Sequence, residues 1–124
     1  MPKNTLTEQS ELSSEGLPSQ TESTQTITQA AACLEALGNP TRLEAFRLLV
    51  KAGHDGTSVG HLQLSLDIPA STLSHHLAKL VRVGLVSQER QSRTLICRAE
   101  YPQMNALLAY LTDQCCQGLA LHTS

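Results

Sequence analysis

From about residue 27 onward, apolar residues recur at three- and four-residue steps, a period that predicts helices. Ile27 to Leu37 is the first such segment and ends at Gly38. Asn39-Pro40 restarts the chain, because asparagine caps a helix and proline suits its first turn. Leu43, Phe46, Arg47 and Val50 carry that second helix to Lys51, and Gly53 is a natural terminator. After a polar loop at residues 54–56, Thr57 and Ser58 are placed to cap a short helix with Val59, Leu62 and Leu66 facing inward. Asp67-Ile68-Pro69 predicts a tight break, and residues 71–83 the next helix, stopped by Gly84. The pattern then changes: residues 85–90 and 93–99 read as two strands joined at Gln91-Ser92. A last helix is expected from about Pro102 to beyond Cys116, with Met104, Leu108, Leu111 and Cys115 on one face.

A short helix, a tight turn, a second helix and a two-stranded ribbon predict a mainly α fold with a two-stranded β-wing, a winged helix-turn-helix. On residues 71–83, Leu73, Leu77 and Leu80 hold one face to the core, while Ser71, His75, Lys79 and Arg82 point the other way, flanked by Thr72 and Ser74. Small hydroxyl residues at a helix start let the backbone approach a duplex closely. Hydroxyls, imidazole and lysine can bond phosphates and base edges in a major groove. Arg90, Arg93 and Arg98 cluster where a wing would meet phosphate. The candidate DNA-binding residues are therefore Ser71, Thr72, Ser74, His75, Lys79, Arg90 and Arg93. His76, beside the leucine face, reads as packing or as a backbone brace.

Composition changes this picture in two places. The net charge of −2 argues against a nucleic-acid binder until its placement is considered. Residues 1–25 hold one lysine against four glutamates, a charge of −3, so the remaining residues carry +1 of the total of −2. The basic balance lies in the folded part. Rich in Ser, Thr, Gln and Glu, residues 1–25 are expected to be a disordered acidic tail, and residues 26–124 one winged helix-turn-helix domain for DNA binding and dimerisation. Neither a run of about 18 apolar residues nor a signal-like N-terminus is present, so the chain reads as cytoplasmic, with no membrane partner.

The second place is cysteine. In a reducing cytosol, Cys33, Cys97, Cys115 and Cys116 read as thiols or ligands rather than structural disulfides. Cys115 and Cys116 are adjacent, and two thiolates from one turn can reach the same small thiophilic centre. They do not readily close a relaxed disulfide, since adjacent Cα atoms lie ~3.8 Å apart and disulfides prefer about 5.5–6 Å. A soft-ion site is the better reading.

Three ordered motifs carry a resemblance. Leu37-Gly38-Asn39-Pro40-Thr41-Arg42-Leu43, then Ser71-Thr72-Leu73-Ser74-His75-His76-Leu77-Ala78-Lys79-Leu80, then Gly84-Leu85-Val86 resemble the ArsR/SmtB family of bacterial metal- and metalloid-responsive repressors. The resemblance covers about residues 27–121. It implies a homodimer paired through its first and last helices, which binds a palindromic operator and leaves it when inducer binds. Many arsenic sensors of the family carry Cys-x-Cys in the first helix of the helix-turn-helix, where this chain has Leu62-Gln63-Leu64-Ser65-Leu66. The family's zinc set along the last helix is also missing, although Asp113 and His122 are present. Leu111-Thr112-Asp113-Gln114-Cys115-Cys116 instead resembles a subgroup with vicinal cysteines in the last helix that senses trivalent arsenicals. The expected ligands are thus Cys115 and Cys116, with trivalent arsenic as inducer and no obligatory cofactor. Some of that subgroup have a further cysteine downstream, which this chain lacks.

Cys97 is the candidate third thiol. If the last helices pack antiparallel across a dimer axis, Cys115 of one subunit approaches Cys97 of the other, making an intersubunit site; the other reading of Cys97 is a small buried hydrophobe. Cys33 reads as packing. A thiol-based redox or reactive-sulfur-responsive repressor on the same fold would use the same cysteines. A thiol reductase does not fit, because the chain lacks Cys-x-x-Cys.

Overall fold

The computed structural model describes residues 25–119. The acidic segment expected to be disordered lies outside the described residues, except for Gln25, and so does His122. Helix α1, Ile27–Leu37, starts in a reciprocal cap: Thr26 accepts from the Gln29 backbone N–H while the Gln29 side chain accepts from the Thr26 N–H, both at 3.0 Å. It buries only small side chains, Ala30, Cys33 and Ala36, which allow close approach to its neighbours. Helix α2, Pro40–Ala52, begins as the sequence predicts, with the Asn39 side chain accepting from the Arg42 N–H at 3.0 Å. It ends at Gly53, whose φ is 79°. A 3-10 turn, Gly53–Asp55, leads to strand β1, Thr57–Ser58, and helix α3, Val59–Leu66, capped by the Ser58 hydroxyl.

Asp67 closes α3 in the left-handed conformation, and helix α4, Ala70–Arg82, follows at once. Leu73, Leu77 and Leu80 are its buried residues, the face read from spacing alone. Strands β2, Val86–Gln91, and β3, Thr94–Ala99, form the hairpin, with the turn at Ser92-Arg93, one residue later than expected. The sheet has three strands, not two: Thr57 pairs with Cys97 and Ser58 with Ile96, in the order β1-β3-β2. A two-residue strand is too short to leave an alternation in sequence. It nonetheless joins the wing to the turn before α3. Leu49, Leu62, Leu73, Leu77, Leu80 and Leu85 are fully buried with Cys33 and Cys97, and each leucine so buried contributes about 1.5–3 kcal/mol.

The last helix, α5, differs most from expectation. It spans Tyr101–Thr112 and stops before the cysteines. Thr112 turns its hydroxyl back to the Leu108 carbonyl at 2.9 Å, Asp113 leaves the helix at ψ 129°, and Gln114 and Cys116 take positive φ. Every residue from Leu111 to Leu119 is exposed. Helical turns without a tertiary face to bury gain little, and this one ends where its packing ends. Among the described residues no helix is long and apolar enough to cross a membrane.

Candidate nucleic-acid interface and thiol site

The outward face of α4 follows from its inward one. With Leu73, Leu77 and Leu80 in the core, Ser71, Thr72, Ser74 and His75 are exposed near its N-terminal end, and Lys79 is half-buried further along. Arg90 and Arg93 are exposed on the hairpin, Arg93 at its turn. All seven residues expected to meet DNA are thus found on α4 and the hairpin. Arg98, grouped with the wing arginines from sequence, is committed elsewhere. Its guanidinium pairs with Glu89 at 2.7 Å and donates to the His54 carbonyl at 3.0 Å, bracing the wing against the loop after α2. The hydrogen bond from Arg98 holds the Glu89 carboxyl below its ordinary range.

Sequence reasoning missed the support beneath α4. Arg42 is buried beside Ala45, Phe46 and Leu49, and its Nε donates to the Ala36 carbonyl at 2.6 Å, near the end of α1. Its Nη1 lies 3.4 Å from Nδ1 of His76 on α4. The signal was present, since Arg42 occupies the same helical stripe as Ala45, Phe46 and Leu49. His76 therefore braces a side chain rather than backbone. Arginine can only donate, so Nδ1 must accept, and a ring protonated on both nitrogens cannot do so. Burial, followed by the charges of Arg42, His75 and Lys79, lowers the His76 pKa. A folded-state pKa below the unfolded value gives stability that is present above the unfolded value and lost as pH falls through the folded one. The melting temperature is expected to drop by a few degrees between pH ~7 and ~5, and less in His76→Gln. Parallel pH profiles for the two proteins would refute the brace.

The cysteines divide into two buried and two exposed. Cys115 and Cys116 lie on the turn beyond α5, with their sulfurs 3.3 Å apart and the Cys115 N–H donating to the Thr112 carbonyl at 2.9 Å. The expectation that they share the last helix is corrected: Cys115 is not on the α5 stripe with Leu108 and Leu111. Gln114 and Cys116, on either side of Cys115, take positive φ, so the two sulfurs meet on a turn and not on a helix. Cys97 is fully buried in β3 and accepts from the Gln88 side chain at 3.5 Å; burial pushes its thiol pKa up. From its strand to the far end of α5 the helix alone rises roughly 18 Å, so within one chain Cys97 and the vicinal pair stand at opposite ends. Cys33 is buried in α1, as its packing role requires. Among the described residues no group of three or more His, Cys, Asp or Glu side chains is arranged to hold a metal ion.

Relatives share this architecture. The profile of the helix-turn-helix domain family matches residues 37–89. The chain is 34% identical over 88 residues to the HTH-type transcriptional regulator YgaV of Escherichia coli, covering 71% of this chain and 87% of that one. An ArsR-like transcriptional regulator from Rhodococcus superposes with a TM-score of 0.60 at 26% identity, over 68% of this chain and 76% of that one. A structure described as a possible transcriptional regulator for arsenical resistance superposes with a TM-score of 0.56 at 28% identity, over 63% and 78%. Each of these relatives is described as a transcriptional regulator. From the buried leucine face of α4, the braced wing and these likenesses together, the chain belongs to the ArsR/SmtB-type family of winged helix-turn-helix transcriptional regulators.

Proposed function

We propose that this protein is a metalloid-responsive repressor that binds operator DNA as a homodimer in the bacterial cytoplasm and is released when a trivalent arsenical bonds to Cys115 and Cys116. The observation that carries the reading is the pair of exposed, free sulfurs 3.3 Å apart. Trivalent arsenic is soft and prefers thiolate over harder ligands, and one atom can accept both sulfurs of such a pair. Two thiolates and one carbon complete the pyramidal shell of an organoarsenical such as methylarsenite. Arsenite asks for a third sulfur, and the buried Cys97 can supply one only if β3 opens. The solved relative described in terms of arsenical resistance supports the same inducer class.

The dimer reading rests on unpartnered apolar residues. Ile27 and Leu34 on α1 and Leu108 and Leu111 on α5 are all exposed. Leu108 also lines an apolar groove of about 320 Å³ with Leu43, Phe46 and Met104. Pairing two copies through these helices would set both α4 helices on one face of a duplex, about 34–36 Å apart. Release of operator DNA by methylarsenite in excess reductant tests the whole reading. A redox or reactive-sulfur switch, which would bond Cys33 or Cys97 to Cys115 or Cys116, stays silent under those conditions.

The DNA contacts have their own test. Arg93→Ala is expected to weaken operator binding and reduce the salt slope by about 1, since each phosphate contact releases counterion. Arg98→Ala is expected to leave that slope unchanged, because its guanidinium already serves Glu89 and His54. Ser74 or His75 substitutions are expected to relax base preference instead. An unchanged affinity and slope in Arg93→Ala would remove the hairpin from the interface.

A further inference from the structure

A side-chain amide joins three helices at the point where α4 ends. Gln103, in the first turn of α5, donates from Nε2 to the Val83 carbonyl at 3.1 Å. The same nitrogen lies 3.4 Å from the Cys33 sulfur of α1. Cys33 closes the triangle, its thiol 3.7 Å from the Val83 carbonyl. Val83 caps the C-terminal end of α4. Gly84 follows at φ 83°, and a Cβ on it would meet the Gln103 amide carbon at 3.6 Å, ordinary van der Waals contact, so the turn lies directly against this side chain. A primary amide has two N–H donors, and here one nitrogen can serve both acceptors at once. The Cys33 contact is the weaker of the two, as bonds to sulfur are.

We propose that Gln103 is a positioning residue for DNA binding, holding the C-terminal end of α4 against α1 and α5 so that the two recognition helices of a dimer keep the spacing the operator requires. The inference rests on the dimer reading above, in which α1 and α5 form the subunit contact. Cys115 and Cys116 lie on the turn just beyond α5, so a change in that helix on binding an arsenical reaches α4 through the one α5 side chain that bonds its cap. No other described α5 side chain makes a hydrogen bond to α4 or to its cap. Orientation of α4 is what operator recognition depends on, whereas loose attraction to any duplex depends on charge, which Gln103 does not carry.

The test uses the full chain with Gln103→Leu, which keeps the bulk and loses the donor, and Gln103→Glu, whose carboxylate keeps the shape and cannot donate when ionised. Without inducer, both are expected to bind the operator ~10-fold more weakly with dimer mass and circular dichroism unchanged, and the uncharged Gln103→Leu to keep its affinity for a non-operator duplex. With methylarsenite, the ratio of operator Kd with and without the arsenical is expected to fall toward one, although mass spectrometry still finds one arsenic per chain. Cys33→Ala, which spares the Gln103–Val83 bond, is expected to stay within about 2-fold of wild type in operator affinity. Wild-type operator affinity in the folded Gln103 variants overturns the proposal. So does loss of the fold in both, since the amide would then hold the domain together rather than aim one helix. If wild type itself ignores methylarsenite, the arsenical reading fails, and the inducer-free measurements still decide the role of Gln103.

Discussion

Cys115→Ser and Cys116→Ser are each expected to bind operator DNA as the wild type does and to remain bound when a trivalent arsenical is added. The pair lies beyond α5, exposed and distant in sequence from α4 and the hairpin, so serine there removes no DNA contact and leaves no cavity. A hydroxyl is a hard, weakly acidic group and does not replace a thiolate on arsenic. Taking a dimer from 99% operator-competent to 1% requires that inducer favour the released state by about 5.5 kcal/mol, a differential that depends on bonding both sulfurs. A single remaining sulfur therefore falls well short of switching. Cys33→Ser, buried in α1, is expected to respond normally. Cys97→Ser separates the two proposed shells: a normal response fits two sulfurs and one carbon, whereas a lost response to arsenite places the buried thiol in the shell. Titration of operator complexes by fluorescence anisotropy reads all four variants. Full release surviving in the Cys115→Ser, Cys116→Ser double variant would end the assignment.

Gly56→Ala is expected to be the most damaging single methyl addition outside the leucine core. Gly56 has φ 73° and ψ −166°, a region essentially reserved for glycine, where other residues cost about 1–3 kcal/mol. The methyl would also stand 2.4 Å from the Cys97 carbonyl and 2.7 Å from the Arg98 Cγ. The first of these is backbone in the middle strand of the sheet and cannot swing aside. Strain and overpacking together are expected to cost on the order of 3 kcal/mol or more, a large share of a small domain's stability. The loss falls where β1 meets β3, so the wing should detach from the turn before α3. Urea denaturation measures the loss in stability, and hydrogen exchange at Cys97 and Arg98 measures the detachment. A change below about 0.5 kcal/mol would mean that the loop carrying Gly56 shifts freely.

Sequence alone determined the elements whose signal is local. The cap at Asn39-Pro40, the break at residues 67–69 and the leucine stripe of α4 rest on hydrogen bonds or periodicities within a few residues, and each is found where the pattern places it. The exposed polar side chains of α4 follow from that stripe, since burying one face of a helix fixes the other. What tertiary structure decided was settled by partners far along the chain. Strand β1 exists because β3 offers it hydrogen bonds, and its two residues carry no period of their own. Arg98 reads as one more wing cation until Glu89 and the His54 carbonyl fold against it, and nothing local marks Gln103, whose partners Val83 and Cys33 lie far along the chain. The end of α5 was misread for the complementary reason. Helical spacing continues through Leu111 toward Cys115, yet a helix persists only while something packs on it, and periodicity cannot say where the packing stops.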